Sequence, residues 1–101
     1  MSDPQLDWIT RIDQARGVIT LQVASAYGIV QKKLRKGTTS ITHEELAEKS
    51  NTSRGYQSLL ERGERCPNLW VVIKIAYAMD VDPVLMLSMI LARLRGDHPG
   101  N

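Results

Sequence analysis

Thr42-His43-Glu44-Glu45 is a capping box, and it fixes one helix start inside this chain. A threonine hydroxyl at that place accepts from the amide three residues on, while Glu45 reaches back to the amide of Thr42. Ile41 before the cap and Leu46 four residues after it are placed to form a hydrophobic staple. The helix has to be short, because Ser50-Asn51-Thr52-Ser53 offers a C-terminal Asn and then a new Ser cap. Two short helices joined by so tight a turn, the second carrying polar and basic groups, make a helix-turn-helix. Ala47 is small enough for the two helices to approach, and Asn51 tolerates the left-handed turn conformation. Leu46 and Leu60 supply the apolar contacts beneath.

The rest of the chain is punctuated the same way. Asp3-Pro4 predicts a first helix through Leu6, Ile9 and Ile12, ending near Gly17. A second runs from about Val18 or Thr20 to Lys36, with Leu21, Ala24, Tyr27, Val30 and Leu34 on its core stripe and Gly37 ending it. Gly28 weakens that helix by roughly 1 kcal/mol relative to Ala, so a break near it is open. The recognition segment runs from Ser53 or Arg54 to Arg62 and stops at Gly63. Asn68 caps a helix through Met79, and Asp82-Pro83 starts the last one, which continues to about Leu94 or Arg95. No convincing strand alternation appears. The expected fold class is all-α, about five helices with an extra one at the N-terminus. Residues 1–20 are read as an N-terminal extension, 21–95 as the helix-turn-helix domain, and 96–101 as a tail.

Composition removes several function classes. At 101 residues, 43% hydrophobic and 24% charged, the sequence suits one soluble globular domain. No apolar run approaches the roughly 18–20 residues of a membrane span, so no membrane partner is expected. Asp3 and Asp7 stand where a signal peptide would be basic and then apolar, and the lone Cys66 suits a reducing compartment; a cytoplasmic location is expected. His43 and His98 lack a third ligand at metal spacing, and no nucleophile, carboxylate pair or phosphate loop assembles. No enzyme activity, catalytic residue, metal or cofactor is expected. Residues 18–37 carry Lys32, Lys33, Arg35 and Lys36 without an acid, which is compatible with nucleic acid and equally with a solvated helix end.

The ordered set Glu44-Glu45-Leu46-Ala47, Ser53-Arg54-Gly55-Tyr56, Glu61-Arg62-Gly63, Pro67 and Val81-Asp82-Pro83 resembles the Cro and phage-repressor type of helix-turn-helix, the XRE-like or λ-repressor-like family. The likeness covers about Tyr27 to Leu87. It implies a double-stranded-DNA-binding transcriptional regulator. It also implies roles by position: Arg54, Gly55, Tyr56 and Leu59 facing bases, and His43, Ser53, Ser58, Arg62, Arg65 and Asn68 meeting phosphates. Among these, Arg54 is the best base reader, since Arg pairs in bidentate fashion with guanine O6 and N7. Tyr56 reads either as a groove contact or as a core ring with a wet hydroxyl. Lys32, Lys33 and Lys36 are read as outside the recognition surface.

Departures from the family pattern are instructive. Gln57 stands where a buried Ile or Val is usual, and Leu59 where a polar reader is usual. Either the recognition helix is rotated, burying Tyr56 or Leu59, or Gln57 is buried with a polar partner and Leu59 faces a thymine methyl. Thr38-Thr39-Ser40 reads as an insertion before the bracing helix, and Gly55 offers no side chain to a base. The last helix is apolar nearly all round. With Leu87, Ile90, Leu91 and Leu94 assigned to the core, Val84, Leu85, Met86 and Met89 remain for a two-fold partner. The resulting expectation is a homodimeric repressor on a palindromic operator. The alternative is an antitoxin or other protein-interaction module on the same fold, with a protein partner held through the N-terminal helix and Trp8.

Overall fold

The computed structural model describes residues 21–96. The helix expected over residues 3–17 and most of the tail lie outside the described residues. Helix α1 includes residues 21–33 and passes directly into a π-helical stretch, Leu34–Thr39. Then follow α2 (His43–Ser50), α3 (Arg54–Glu61), α4 (Leu69–Ala78) and α5 (Pro83–Arg95). No strand occurs among the described residues. Nor is any single helix among them long and apolar enough to cross a membrane.

The starts predicted for α2, α3, α4 and α5 are where the capping residues put them. Thr42 accepts from the Glu45 amide at 3.1 Å, and Glu45 Oε1 accepts from the Thr42 amide at 3.1 Å, completing the capping box. Ser53, Asn68 and Asp82 each cap the following helix through a side-chain oxygen. Each such cap stabilises by about 0.5–2 kcal/mol relative to Ala. Asn51 takes the left-handed turn at φ 55°, and Gly96 closes α5 at φ 78°.

The end of the second predicted helix needs correcting. Gly37 does not stop it; the backbone winds on to Thr39, and Ser40 at φ 51° is the left-handed stop. The carbonyl of Arg35 accepts from the Ser40 and Ile41 amides and from the Thr39 hydroxyl. A π turn takes one more residue per turn than an α turn. The stretch read as an inserted loop is therefore largely absorbed into a widened last turn.

Helix α2 packs against both α3 and α4, and α4 against α5. Tyr27, Val30, Leu46, Leu60, Ile75, Met79 and Met86 are sealed at the centre, with Ile41 and Leu46 in one cluster as the staple requires. Burying a large apolar side chain stabilises by about 1.5–3 kcal/mol. Leu21, assigned to the α1 stripe, is instead 69% exposed.

Helix α1 is unbroken at Gly28, and the reason is contact. A Cβ built there would lie 2.5 Å from the Leu60 carbonyl oxygen and 2.8 Å from that of Glu61. Only glycine lets α1 rest on the backbone end of α3. Gly63, at φ 74°, continues the same approach beneath Ser25. Gly28→Ala, which improves intrinsic helix propensity, is nevertheless expected to destabilise the fold by about 1–3 kcal/mol through overpacking. Urea melts of the two proteins check it.

Candidate nucleic-acid interface

Helix α3 divides cleanly by face. Gln57 and Leu60 point inward and are fully buried. Ser53, Arg54, Gly55 and Arg62 are exposed, while Tyr56, Ser58 and Leu59 are half-buried. Positions 54, 58 and 62, with 55 and 59 beside them, follow the helical repeat and form one outward ridge. Tyr56 packs against the core cluster, so its ring supports the helix from the flank.

Of the two orientations open from sequence, Gln57 is the buried one, with polar partners. Gln31 Nε2 donates to Gln57 Oε1 at 2.8 Å and to Glu61 Oε2 at 2.9 Å. Gln57 Nε2 donates to Thr52 Oγ1 at 2.7 Å and lies 3.4 Å from Ser50 Oγ, which itself donates to the Leu46 carbonyl. These bonds tie α1, the turn and α3 together.

Arg35 belongs to the same network. Its Nε and Nη2 grip Glu61 at 2.7 and 2.9 Å, and Nη1 donates to the Ile41 carbonyl at 3.0 Å. Both side chains are nearly sealed. Arg35 is thus withdrawn from the basic run, leaving Lys32, Lys33 and Lys36 on the exposed surface. Burial alone raises the Glu61 carboxyl, but the contacts from Arg35, His43 and Gln31, with the Arg35 charge, outweigh it and hold the group below the ordinary carboxylate range. Burial also pushes the Tyr27 phenol far up, its hydroxyl being enclosed without a hydrogen-bond partner. Gln31 and Arg35 follow Tyr27 of the apolar stripe at four-residue spacing, on the same side of α1. That spacing was the available sign that Arg35 turns inward.

The residues expected at phosphates are distributed around the ridge. His43 sits half-exposed at the head of α2, its Nε2 3.0 Å from Glu61 Oε1 but off the line of a regular hydrogen bond. Ser53 Oγ is committed to the α3 cap and Asn68 Oδ1 to the α4 cap. Arg62 pairs with Glu64, and Arg65 is exposed in the loop beyond. Arg54 reaches back to Glu44, Nη1 to Oε1 at 3.1 Å. Together the helix heads, the ridge and the loop offer cationic and amide donors around a helix narrow enough for a major groove. Among the described residues no three His, Cys, Asp or Glu side chains are grouped to hold a metal ion.

The phase read for α5 does not survive. Met86 and Ile90 are its core contacts, with Met89 half-buried against the same cluster. Leu87, Leu91 and Leu94, assigned to the core, point outward with Val84 and Leu85. A helix apolar on every side carries no rotational signal. Met86, offered to a partner, is therefore enclosed within this chain's own core, and Met89 is mostly so.

A helix-turn-helix family model matches residues 31–86. No curated protein sequence matches significantly. Among solved structures, the clp gene regulator ClgR from C. glutamicum is similar with a TM-score of 0.66 and 26% identity, over 71% of this chain and 92% of that one. The restriction-modification controller protein C.AhdI from Aeromonas hydrophila has a TM-score of 0.59 and 30% identity, over 62% and 94%. The controller protein C.Esp1396I has a TM-score of 0.65 and 30% identity, over 72% and 95%. Motif order, helix geometry and a family model spanning more than half of the residues agree: the chain belongs to the Cro and phage-repressor type (XRE-like, λ-repressor-like) family of helix-turn-helix DNA-binding regulators, a non-enzymatic class.

Proposed function

We propose that this chain is a sequence-specific transcriptional repressor that acts in the cytoplasm, binding a palindromic operator as a homodimer. The observation that carries the reading is the outward ridge of α3, held in one rotation by the Gln31–Gln57–Glu61–Arg35 network behind it. Residues 21–95 serve as the binding and dimerisation unit, with 1–20 as an extension. Arg54 reads a base and Leu59 offers an apolar surface to a thymine methyl, while Gly55 lets the backbone come close. His43, Ser53, Ser58, Arg62, Arg65 and Asn68 set the register on phosphates. The exposed side chains Val84, Leu85, Leu87, Leu91 and Leu94 of α5 provide the two-fold contact. Dimeric readers of this kind place half-sites about 34–36 Å apart.

Selection of duplexes from a random pool, followed by footprinting, tests the reading. On the best duplex, Arg54→Ala is expected to cost roughly 1–3 kcal/mol and relax preference at one base pair per half-site. Arg65→Ala is expected to weaken all duplexes alike and flatten the salt dependence. Identical behaviour of the two variants across a panel of duplexes would contradict this division of labour.

A second reading, a protein-interaction module such as an antitoxin, draws on α4. Leu69, Trp70 and Tyr77 are 68%, 64% and 70% exposed there, with Lys74 lying over the Trp70 ring. Exposed aromatic patches of this kind are typical of protein contacts. A stoichiometric partner lost on Trp70→Glu, with DNA binding retained, would favour that reading.

A further inference from the structure

Resting on the reading of α3 as the groove helix, we infer that Glu44 is a positioning residue that aims Arg54 at a guanine and sharpens discrimination against bulk DNA. Arg54 is the first residue of α3, where the positive end of the helix dipole opposes a cation. Its direction therefore needs another cause. On the neighbouring Gly55 an added Cβ would meet nothing within 4 Å, so the surface beside the start of α3 is open. Among the described residues its one side-chain partner is Glu44, in the first turn of α2, where an acid is favoured by the dipole.

The bond uses one nitrogen only. With Nη1 held by Glu44, the Nε–Nη2 edge stays free, and that edge matches the O6 and N7 acceptors of guanine. Both side chains are about 70% exposed, at 71% and 72%, beside a shallow cleft lined by Arg35, Thr42, His43, Glu44 and Arg54. An untethered Arg54 would find phosphate oxygens, which every sequence presents. A carboxylate next to it is repelled by those phosphates and opposes that mode of binding. A repulsive element of this kind is one of the two ways in which discrimination between partners is built.

The experiment uses the full chain, the duplex recovered by selection and a scrambled duplex of equal length. Wild type, Glu44→Gln, Arg54→Ala and the double variant are titrated at several salt concentrations. Glu44→Gln is expected to bind the scrambled duplex about 3–10-fold more tightly and to lose about tenfold in the ratio of selected to scrambled affinity. Its salt slope on scrambled DNA should steepen by about one ion. In the Arg54→Ala background the same Glu44→Gln change should leave the ratio where Arg54→Ala alone puts it. Melting temperature should hardly move, because an exposed pair contributes little to stability. An unchanged ratio in Glu44→Gln, or an equal fall with and without Arg54, would overturn the assignment. A wild type indifferent to sequence would overturn the operator reading itself, and this inference with it.

Discussion

Glu61→Ala is expected to destabilise the fold by about 3–5 kcal/mol, a large part of the total stability of so small a domain. The change leaves Arg35 enclosed without its carboxylate and removes an acceptor from Gln31, and water reaches neither group easily. Equilibrium urea unfolding at neutral pH measures it. A companion series with Glu61→Gln isolates the charge. Because the folded Glu61 carboxyl lies below its ordinary value, its contribution is fully present above the unfolded pKa of about 4.3 and is lost as pH falls through the folded value. The stability gap between wild type and Glu61→Gln should therefore be widest near pH 7 and narrow below about pH 4. A gap that stayed constant down to pH 2.5 would mean the charge on Glu61 is not what stabilises α3.

Leu91→Asp is expected to abolish the dimer at micromolar concentration and reduce operator affinity by about 10²-fold or more, through lost effective concentration. The argument rests on area and phase. Val84 and Leu91 lie on the side of α5 turned away from Met86 and Ile90, with Leu87 and Leu94 on one flank and Leu85 on the other, all five exposed. Apolar patches beyond a few hundred Å² are uncommon on monomers. Across a two-fold axis the substitution appears twice, placing two carboxylates in one desolvated contact. Leu91 is exposed rather than one of the buried residues of the core, so each monomer should keep its helical content. Sedimentation and DNA titration together decide the matter. A wild type that remains monomeric at high concentration would show that this face serves something else.

Much of the fold was legible in the sequence because helix starts are written locally. Thr42, Ser53, Asn68 and Asp82 each cap with their own side chain, and the turn at Asn51 needs no distant partner. What escaped depended on packing between segments far apart in the chain. Gly28 looked like a weak point, and its meaning appears only when Leu60 and Glu61 arrive beside it. Arg35 looked like one more surface cation until Glu61, 26 residues on, closed over it. Gln57 broke an apolar pattern, and Gln31 makes sense of that break from another helix. The rotation of α5 was hidden for the opposite reason: with apolar groups on every side, any assignment of its stripe satisfied the pattern. For the site, the ridge residues follow from motif order, whereas Glu44 stands in the sequence only as a member of the Glu-Glu-Leu-Ala motif, since its pairing depends on Arg54 reaching back from the next helix.

The separation between the two faces of α3 bears on how a protein like this can diverge. Directional bonds from Gln57 and Glu61 set the helix's angle, and none of Arg54, Gly55, Ser58 or Leu59 takes part in them. Gly55 in particular sits against open space, so a longer side chain could be installed there without displacing anything. Mutation can then explore new binding preferences at the outer positions at little risk to folding, while the inner positions are held under a different selection. A duplicated copy of this chain could acquire a separate set of target genes in a few single-residue steps, each intermediate remaining a folded protein.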